Sequence, residues 1–214
     1  MNKLTKRLQV IANLVSCRNV CDVGCDHGKL AKYLLDNNMV DYITVSDISM
    51  PSLQKAINLL ADYRDKSSYI HCDGLRDYKD NVEQCIISGM GGDAIIDIIS
   101  NSPIAINSFI LSPQHNNVEV KKFMLNLGYN IIYDIIIKDK GKFYNIIKCE
   151  KSAKIDNFSE FDLIIGKDNF ENIDSNAEEF VEKEIIKIEK IVKSKPNKKL
   201  QNYLELINEY YKRK

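Results

Sequence analysis

Apolar positions change their spacing along this chain, and each change of period marks an element. Leu4, Leu8, Ile11 and Val15 recur every three or four residues, which lays one buried stripe on a first helix. Short apolar runs then alternate with helical spacing. Residues 20–23 read as a brief buried strand, and 27–37 as a helix facing inward through Leu30, Leu34 and Leu35. A second strand at 42–46 leads into a helix that Pro51 can open, with a stripe through Leu53, Ile57 and Leu60. Strands are predicted at 68–72, 84–88 and 106–111, with helices at 94–99 and 118–127, the latter stopped by Gly128. Strands alternating with helices imply a parallel sheet covered on both faces.

The rhythm then breaks. Residues 129–137 and 143–149 both read as strands, and only 138–142, containing Gly141, connect them. So short a link forces an antiparallel hairpin. The expected class is therefore α/β: a doubly wound, Rossmann-like sheet of seven strands that ends in an antiparallel hairpin. Beyond it, Val181, Ile185, Ile188 and Val192 share a 4-3-4 spacing with Leu200, Leu204, Ile207 and Tyr211, and Ser194-Lys195-Pro196-Asn197 reads as the turn between them. Matching seams joined by a short link predict an antiparallel coiled-coil helical hairpin. The expected division is residues 1–151 for the sheet domain and 152–214 for the helical one.

Charge changes this picture only locally. The 214 residues carry 30 Lys+Arg against 30 Asp+Glu, so no global charge announces a nucleic-acid partner. Residues 183–214, however, hold ten basic residues against four glutamates. That excess fits either a solvated helical face or a contact with an RNA backbone, which needs local positive charge only. The six cysteines form no C-x-x-C pair and mostly sit in apolar runs, which predicts reduced thiols in a cytosol. Leu14-Val15-Ser16-Cys17 resembles a lipoprotein cleavage box, but Gln9 and Asn13 interrupt the apolar stretch before it, so the helix is expected instead. No uncharged apolar run is long enough to span a membrane, and a cytoplasmic protein is expected.

Candidate chemistry lies where strands end, because open parallel sheets bind ligands at the carboxyl ends of their strands. The loop Asp22-Val23-Gly24-Cys25-Asp26-His27-Gly28 follows the first strand. A dinucleotide site would show G-x-G-x-x-G, with its pyrophosphate on a helix N-terminus. Here Asp22 and Asp26 bracket the turn and would repel a pyrophosphate. They favour S-adenosylmethionine, which carries an ammonium and a sulfonium and no phosphate. Asp47, with Ile48 beside it, ends the second strand, where a carboxylate can take ribose hydroxyls. Asp73-Gly74 ends the third, where a carboxylate can accept from an adenine amino group. One such aspartate is an ordinary turn residue or cap; three at successive strand ends describe one pocket. His27 opens the following helix and is expected to shape that pocket. His71 and Cys72 beside Cys85 lack the four-ligand spacing of a zinc site, and no metal is expected.

Ser88-Gly89-Met90-Gly91-Gly92 follows the fourth strand. Three glycines cost chain entropy, which makes sense if backbone must lie close to a flat substrate, although a tight strand-to-helix turn would use them too. The motifs Asp22-x-Gly24-x-Asp26-His27-Gly28, Ile87-Ser88-Gly89-Met90-Gly91-Gly92 and Gly141-Lys142-Phe143-Tyr144 together resemble the bacterial tRNA adenine-N1 methyltransferases that act on position 22, within the class I S-adenosylmethionine-dependent enzymes. The resemblance covers nearly the whole chain, including the C-terminal helical hairpin. Ser112-Pro113-Gln114-His115-Asn116 departs from the Gln-Pro-Asn-like run expected after the fifth strand.

The resemblance implies Asp22, Gly24, Asp26, His27, Asp47, Ile48, Asp73, Gly74 and Ser88 around the cofactor. It implies Ser88, Gly89, Met90, Gly91 and Tyr144 at the reacting base, with Phe143 or Tyr144 as a stacking surface. Lys193, Lys195, Lys198 and Lys199 would then meet tRNA. The Asp/Asn-Pro-Pro-aromatic motif that orients exocyclic amines is missing, in keeping with attack by adenine N1, whose in-plane lone pair needs no obligatory general base. Rival readings are an NAD-dependent oxidoreductase, a non-catalytic RNA-binding module on the same fold, and a methyltransferase for proteins or small molecules.

Overall fold

The computed structural model describes residues 4–166, 168–169, 175–194 and 197–213, with side chains except at 175, 199 and 209–213. The expected turn at Lys195 and Pro196 and the terminal Lys214 lie outside the described residues. So do the side chains of Lys199 and Tyr211.

The chain begins with α1 (Lys6–Leu14), whose N-cap Thr5 accepts from the Leu8 amide. Then come β1 (Asn19–Val23), α2 (Lys29–Asp36), β2 (Tyr42–Asp47), α3 (Met50–Leu59) and β3 (Ser67–His71). Next are β4 (Gln84–Ser88), α4 (Gly92–Ser100), β5 (Ser108–Ser112) and α5 (Asn117–Asn126). The sheet ends with β6 (Tyr129–Asp139) and β7 (Lys142–Lys151), and α6 (Glu160–Ile165), α7 (Ser175–Ser194) and α8 (Lys198–Arg213) follow. The seven strands lie in the order β3-β2-β1-β4-β5-β7-β6. β1 to β5 are parallel, and β7 is antiparallel to both neighbours. The expected class is the observed one.

Strand alternation sorts the core into two layers. Cys21, Val23, Cys85, Ile87, Phe109 and Leu111 face one cluster, which α4 and α5 complete through Ile95, Ile99, Val120 and Met124. Val20, Ile43, Val45, Ile86 and Ile110 face the other, closed by Ile11, Leu30, Leu34 and Leu53 of α1 to α3 and by Leu60, which caps α3. By the same alternation Asp22 points to the second face, a lone carboxyl in an apolar row. The six cysteines are free and five of them buried, as the sequence predicts.

Most boundaries differ from expectation by one or two residues, and two departures are informative. The hairpin turn is two residues, Lys140-Gly141, both at positive φ (49° and 79°), not the five expected. The strands run on through the pairs Lys138–Phe143 and Asp139–Lys142; Lys138 Nζ meets both Glu179 carboxylate oxygens of α7 at 2.6 and 2.8 Å, and Phe143 packs edge-on against Phe180 at 5.6 Å. The second difference is α6, which the sequence reading passed over. Ser159 and Asp162 form a reciprocal capping box at its start. Phe161 and Ile165 of α6 join Val181, Ile188 and Ile207 in a third apolar cluster that holds α7 and α8 together.

One buried ion pair ties this helical layer to the sheet. Lys121 of α5, fully buried, contacts the Asp134 carboxylate of β6 at 2.6 Å and donates to the Leu163 carbonyl of α6 at 2.8 Å. Burial nonetheless holds the Asp134 carboxyl above its ordinary pKa, against the pull of Lys121. Removing one partner of such a pair strands the other without compensation. Lys121→Met is expected to lower the unfolding free energy by about 3–5 kcal/mol. The double change Lys121→Met with Asp134→Leu should recover much of that. Urea denaturation of the three proteins checks this; a single variant as stable as the parent would remove the pair from the account.

Candidate functional site

The order of strands reverses between β1 and β4, so the loops that leave their carboxyl ends diverge and open a crevice. Two cavities of about 310 Å³ each occupy it. The first is lined by Arg7 and Leu8 of α1, by Asp22, Gly24, Cys25, Asp26 and His27, and by Ser88, Gly89 and Gln114. The second runs along the ends of β2 and β3 past Asp47, Ile48, Asp73 and Gly74 to Met90. Gly24, Ser88 and Gly89 border both.

Each predicted residue can now be located. Gly24 has φ +70°, a left-handed conformation that favours glycine, and a Cβ there would stand 2.1 Å from the Met90 methyl, which would have to move aside. Asp22 is 4% exposed, and burial, followed by repulsion from Asp47, pushes its carboxyl up to about 7. Its side chain takes no hydrogen bond among the described residues. Asp47, in contrast, is held firmly: it accepts from the Asp26 amide at 3.0 Å and from the Ser49 amide at 2.8 Å. Asp73 is paired with Arg76 at 3.3 Å, and Arg76 also reaches Asp97 at 3.3 Å on the same rim. His27 Nε2 lies 3.0 Å from Lys55 Nζ and 3.4 Å from Asp26. Gly28 lines neither cavity; its φ of +70° and its 2.8 Å approach to Ala56 serve the packing of α2 on α3.

The glycine loop divides between two tasks. Gly89, at φ +83°, lies against the Arg7 guanidinium and faces the crevice. Gly91 and Gly92 have a different reason: added Cβ atoms would come within 2.5 Å of the His115 ring and 2.7 Å of its carbonyl. They let the loop after β4 lie directly on the loop after β5. Four hydrogen bonds fasten the two: Gly89 N–H to Ser112 O (3.1 Å), Gln114 N–H to Met90 O (2.9 Å), Gly92 N–H to His115 O (3.1 Å) and Gln114 Nε2 to Gly89 O (2.7 Å). The tight-turn account of these glycines therefore covers Gly91 and Gly92, and Gly91 borders neither cavity.

Tyr144 borders neither cavity either. Its ring lies under Arg7, with the guanidinium carbon 4.9 Å from the ring centroid, while its neighbour Phe143, on the opposite face of β7, is occupied by Phe180 and by Lys183 at 5.2 Å. Sequence reasoning missed Arg7 and singled out the run from Ser112 to Asn116 without choosing Gln114 within it. The basic N-terminal segment and the irregular run after β5 were the available signals.

Comparison with known proteins agrees with this geometry. The pattern that defines the methyltransferase domain matches residues 4–147. "Putative tRNA methyltransferase MG248" of Mycoplasma genitalium is 33% identical over 174 residues, spanning 76% of this chain and 77% of its own. The tRNA (adenine(22)-N(1))-methyltransferase of Bacillus subtilis is 26% identical over 155 residues, 69% of this chain and 65% of that one. The structure of M. capricolum TrmK in complex with S-adenosyl-homocysteine superposes with a TM-score of 0.89 at 24% identity, covering 98% of both chains. That likeness carries the fold.

Asp22 lends itself to a test of its own. In the unfolded chain it ionises near pH 4, whereas in the folded protein it holds its proton up to about pH 7. A raised carboxyl pKa costs stability as pH rises through that window, and the cost is constant above it. Asp22→Asn is therefore expected to melt with the parent near pH 4, to gain steadily between pH 4 and 7, and to melt several degrees higher at pH 8. Thermal unfolding across this range decides the matter, and a variant less stable at pH 8 would contradict it.

Proposed function

The chain belongs to the methyltransferase-domain family, and from that premise we propose that it transfers the methyl of S-adenosylmethionine to N1 of an adenine in tRNA, at position 22. The observation that carries this reading is the junction of two cavities of different character at Gly24, Ser88 and Gly89, at the point where strand order reverses.

The residues there fit the cofactor. The nucleoside half needs acceptors for hydroxyl and amino hydrogens, and Asp47 and Asp73 offer them at the ends of β2 and β3, with Gly74 and Ile48 beside the base. Asp47 is oriented in advance by two backbone amides, so little side-chain freedom is lost on binding. Gly24 lets the ligand run close to the backbone between the two cavities. The Asp26 carboxylate on the same loop repels a pyrophosphate, which argues against a nicotinamide nucleotide in the same crevice. When bound, S-adenosylmethionine supplies an electrophilic methyl on a sulfonium.

The chain's own part in the reaction is to position and to exclude water. Ser88, Gly89 and Met90 form the rim on which the base would lie, and Gln114 fixes that rim by holding the Gly89 carbonyl. Gly91 and Tyr144 act one layer behind: Gly91 through the docking of the two loops, Tyr144 through the seat it gives Arg7. Adenine N1 attacks with its own lone pair, so orientation alone can supply several kcal/mol of the acceleration. A paired or stacked adenine has first to be drawn out of its helix. Residues 152–214 serve in this reading as a helical, coiled-coil appendage on the sheet domain of 1–151. Lys193 and Lys198, both exposed, would work together with Lys195 and Lys199 as its contacts to the tRNA backbone. The setting is cytoplasmic; no helix among the described residues is long and apolar enough to cross a membrane.

Purified protein incubated with labelled S-adenosylmethionine and unmodified tRNA transcripts is expected to yield N1-methyladenosine by nucleoside mass spectrometry. The yield should vanish with transcripts lacking adenine at position 22. A different methylated nucleoside, or none with the cofactor bound, would overturn the substrate assignment. Replacing Lys193, Lys195, Lys198 and Lys199 by Ala should weaken tRNA binding and reduce its salt slope by about one per lost phosphate contact. An unchanged slope would return the hairpin to a solvated face.

A further inference from the structure

The rim formed by Ser88, Gly89 and Met90 lies on the loop after β5, and two adjacent asparagines bolt that loop to elements on either side. Asn116 takes a left-handed backbone, φ +58°, which asparagine tolerates better than most residues. Its side-chain amide donates to both Asp93 carboxylate oxygens, in the first turn of α4, at 3.0 Å each. Asn117 opens α5, and its side-chain amide donates to Asn145 Oδ1 of β7 at 2.5 Å. Asn145 is 5% exposed, and by strand alternation it stands with Ile147 and Cys149 in the apolar layer that α4 and α5 cover. The pair makes that single bond. Asn117 Oδ1 and Asn145 Nδ2 are buried beside it with no hydrogen-bond partner among the described residues.

A buried amide pair that leaves one acceptor and one donor unmet costs stability, and an apolar pair of similar size would fill the space without that cost. What the hydrogen bond adds is direction, since it holds one loop residue to one strand residue in a fixed orientation. We propose that the Asn117–Asn145 pair is a positioning device for the methyl-transfer step: it seats the β5 loop against β7, and that loop sets the rim on which the base lies. The assignment rests on the methyltransferase reading and deepens it. The chain of contacts is continuous. Asn117 follows directly on Gln114, His115 and Asn116. Gln114 donates to the Gly89 carbonyl through its side chain and to the Met90 carbonyl through its backbone, and the His115 carbonyl accepts from the Gly92 amide. Neither asparagine borders a cavity, so each acts through the loop and not on the reacting atoms. Asp47 and Asp73, offered to the cofactor's nucleoside, follow β2 and β3 on the other side of the strand-order reversal. A fault in the pair therefore displaces the base and spares the cofactor.

Two variants separate positioning from plain support. Asn117→Leu combined with Asn145→Leu removes both polar groups and is expected to melt at or above the parent's temperature. Asn145→Ala removes one partner, strands the Asn117 amide and should melt lower. Both are expected to methylate tRNA transcripts about 10- to 100-fold more slowly at saturation, the scale for displacing a reacting group by about an ångström. The KM for S-adenosylmethionine and the calorimetric affinity for S-adenosylhomocysteine should stay at the parent's values, which also reports an intact fold. Turnover that follows melting temperature, kept in the double variant and lost only in Asn145→Ala, would make the pair structural and overturn the proposal. So would a rise in the cofactor KM matching the fall in turnover, and so would a double variant that melts below Asn145→Ala. Absence of any methylated nucleoside with the unaltered protein would overturn the methyltransferase reading itself, and this assignment with it.

Discussion

Everything at the site depends on the reversal of strand order between β1 and β4. β1 sends the chain outward to β2 and β3, and the return to β4 on the other side of β1 sends it outward again toward β5. Helices that cover such a sheet cannot fill the gap above the reversal, because the loops feeding them leave in opposite directions. A crevice is thus a consequence of topology, present before any side chain is chosen. The side chains then decide its use, and here they line it with carboxylates on the β2 and β3 side and with acidic and basic residues together beneath α1.

The two loops above the crevice are built unlike each other, and the contrast is physical. The β1 loop carries an unresolved electrostatic demand: Asp22 sits in an apolar row, lifted well above the usual carboxylate range, with Asp47 adding to the effect. The β4 loop carries none. It is clamped to the β5 loop by backbone hydrogen bonds and by glycines that permit the close approach. A site that binds a cation needs its anion unpaired in the free protein, which costs stability. A site that positions a planar base needs a rim that does not move. In the proposed reading each loop meets one of these requirements.

How much of this was legible depended on the range of the contacts involved. The strand at 84–88 was found to the residue, because three consecutive apolar residues, Cys85 to Ile87, follow a polar loop. The acidic residues at the ends of β1, β2 and β3 were legible for a similar reason: each is placed by its own strand. The capping box at Ser159 and Asp162 was also there to be read, yet the six-residue helix it opens is too short to show periodicity. Arg7 was not legible. Its place depends on α1 reaching Asp139, 132 positions away, and on Tyr144 arriving from β7. The glycines of the β4 loop were visible, but their division between cavity and packing was not, since it turns on His115 from another loop.

β7, an antiparallel strand inserted between β5 and β6, bears on a site formed by parallel ones. Strand alternation puts Tyr144 and Phe143 on opposite faces. Tyr144 supports Arg7 on the side of α1, and Phe143 receives Phe180 and Lys183 of α7 on the other. Lys138, paired across the hairpin with Phe143, is held by Glu179 of the same helix. Two adjacent residues therefore join the wall of the first cavity to the basic C-terminal helices through a single strand. Because the turn at Lys140-Gly141 is as short as a hairpin permits, the strand has little freedom to shift without moving both faces. The appendage is thereby fixed in register with the crevice, as a helical arm must be if it is to hold a large substrate while a small part of that substrate reacts.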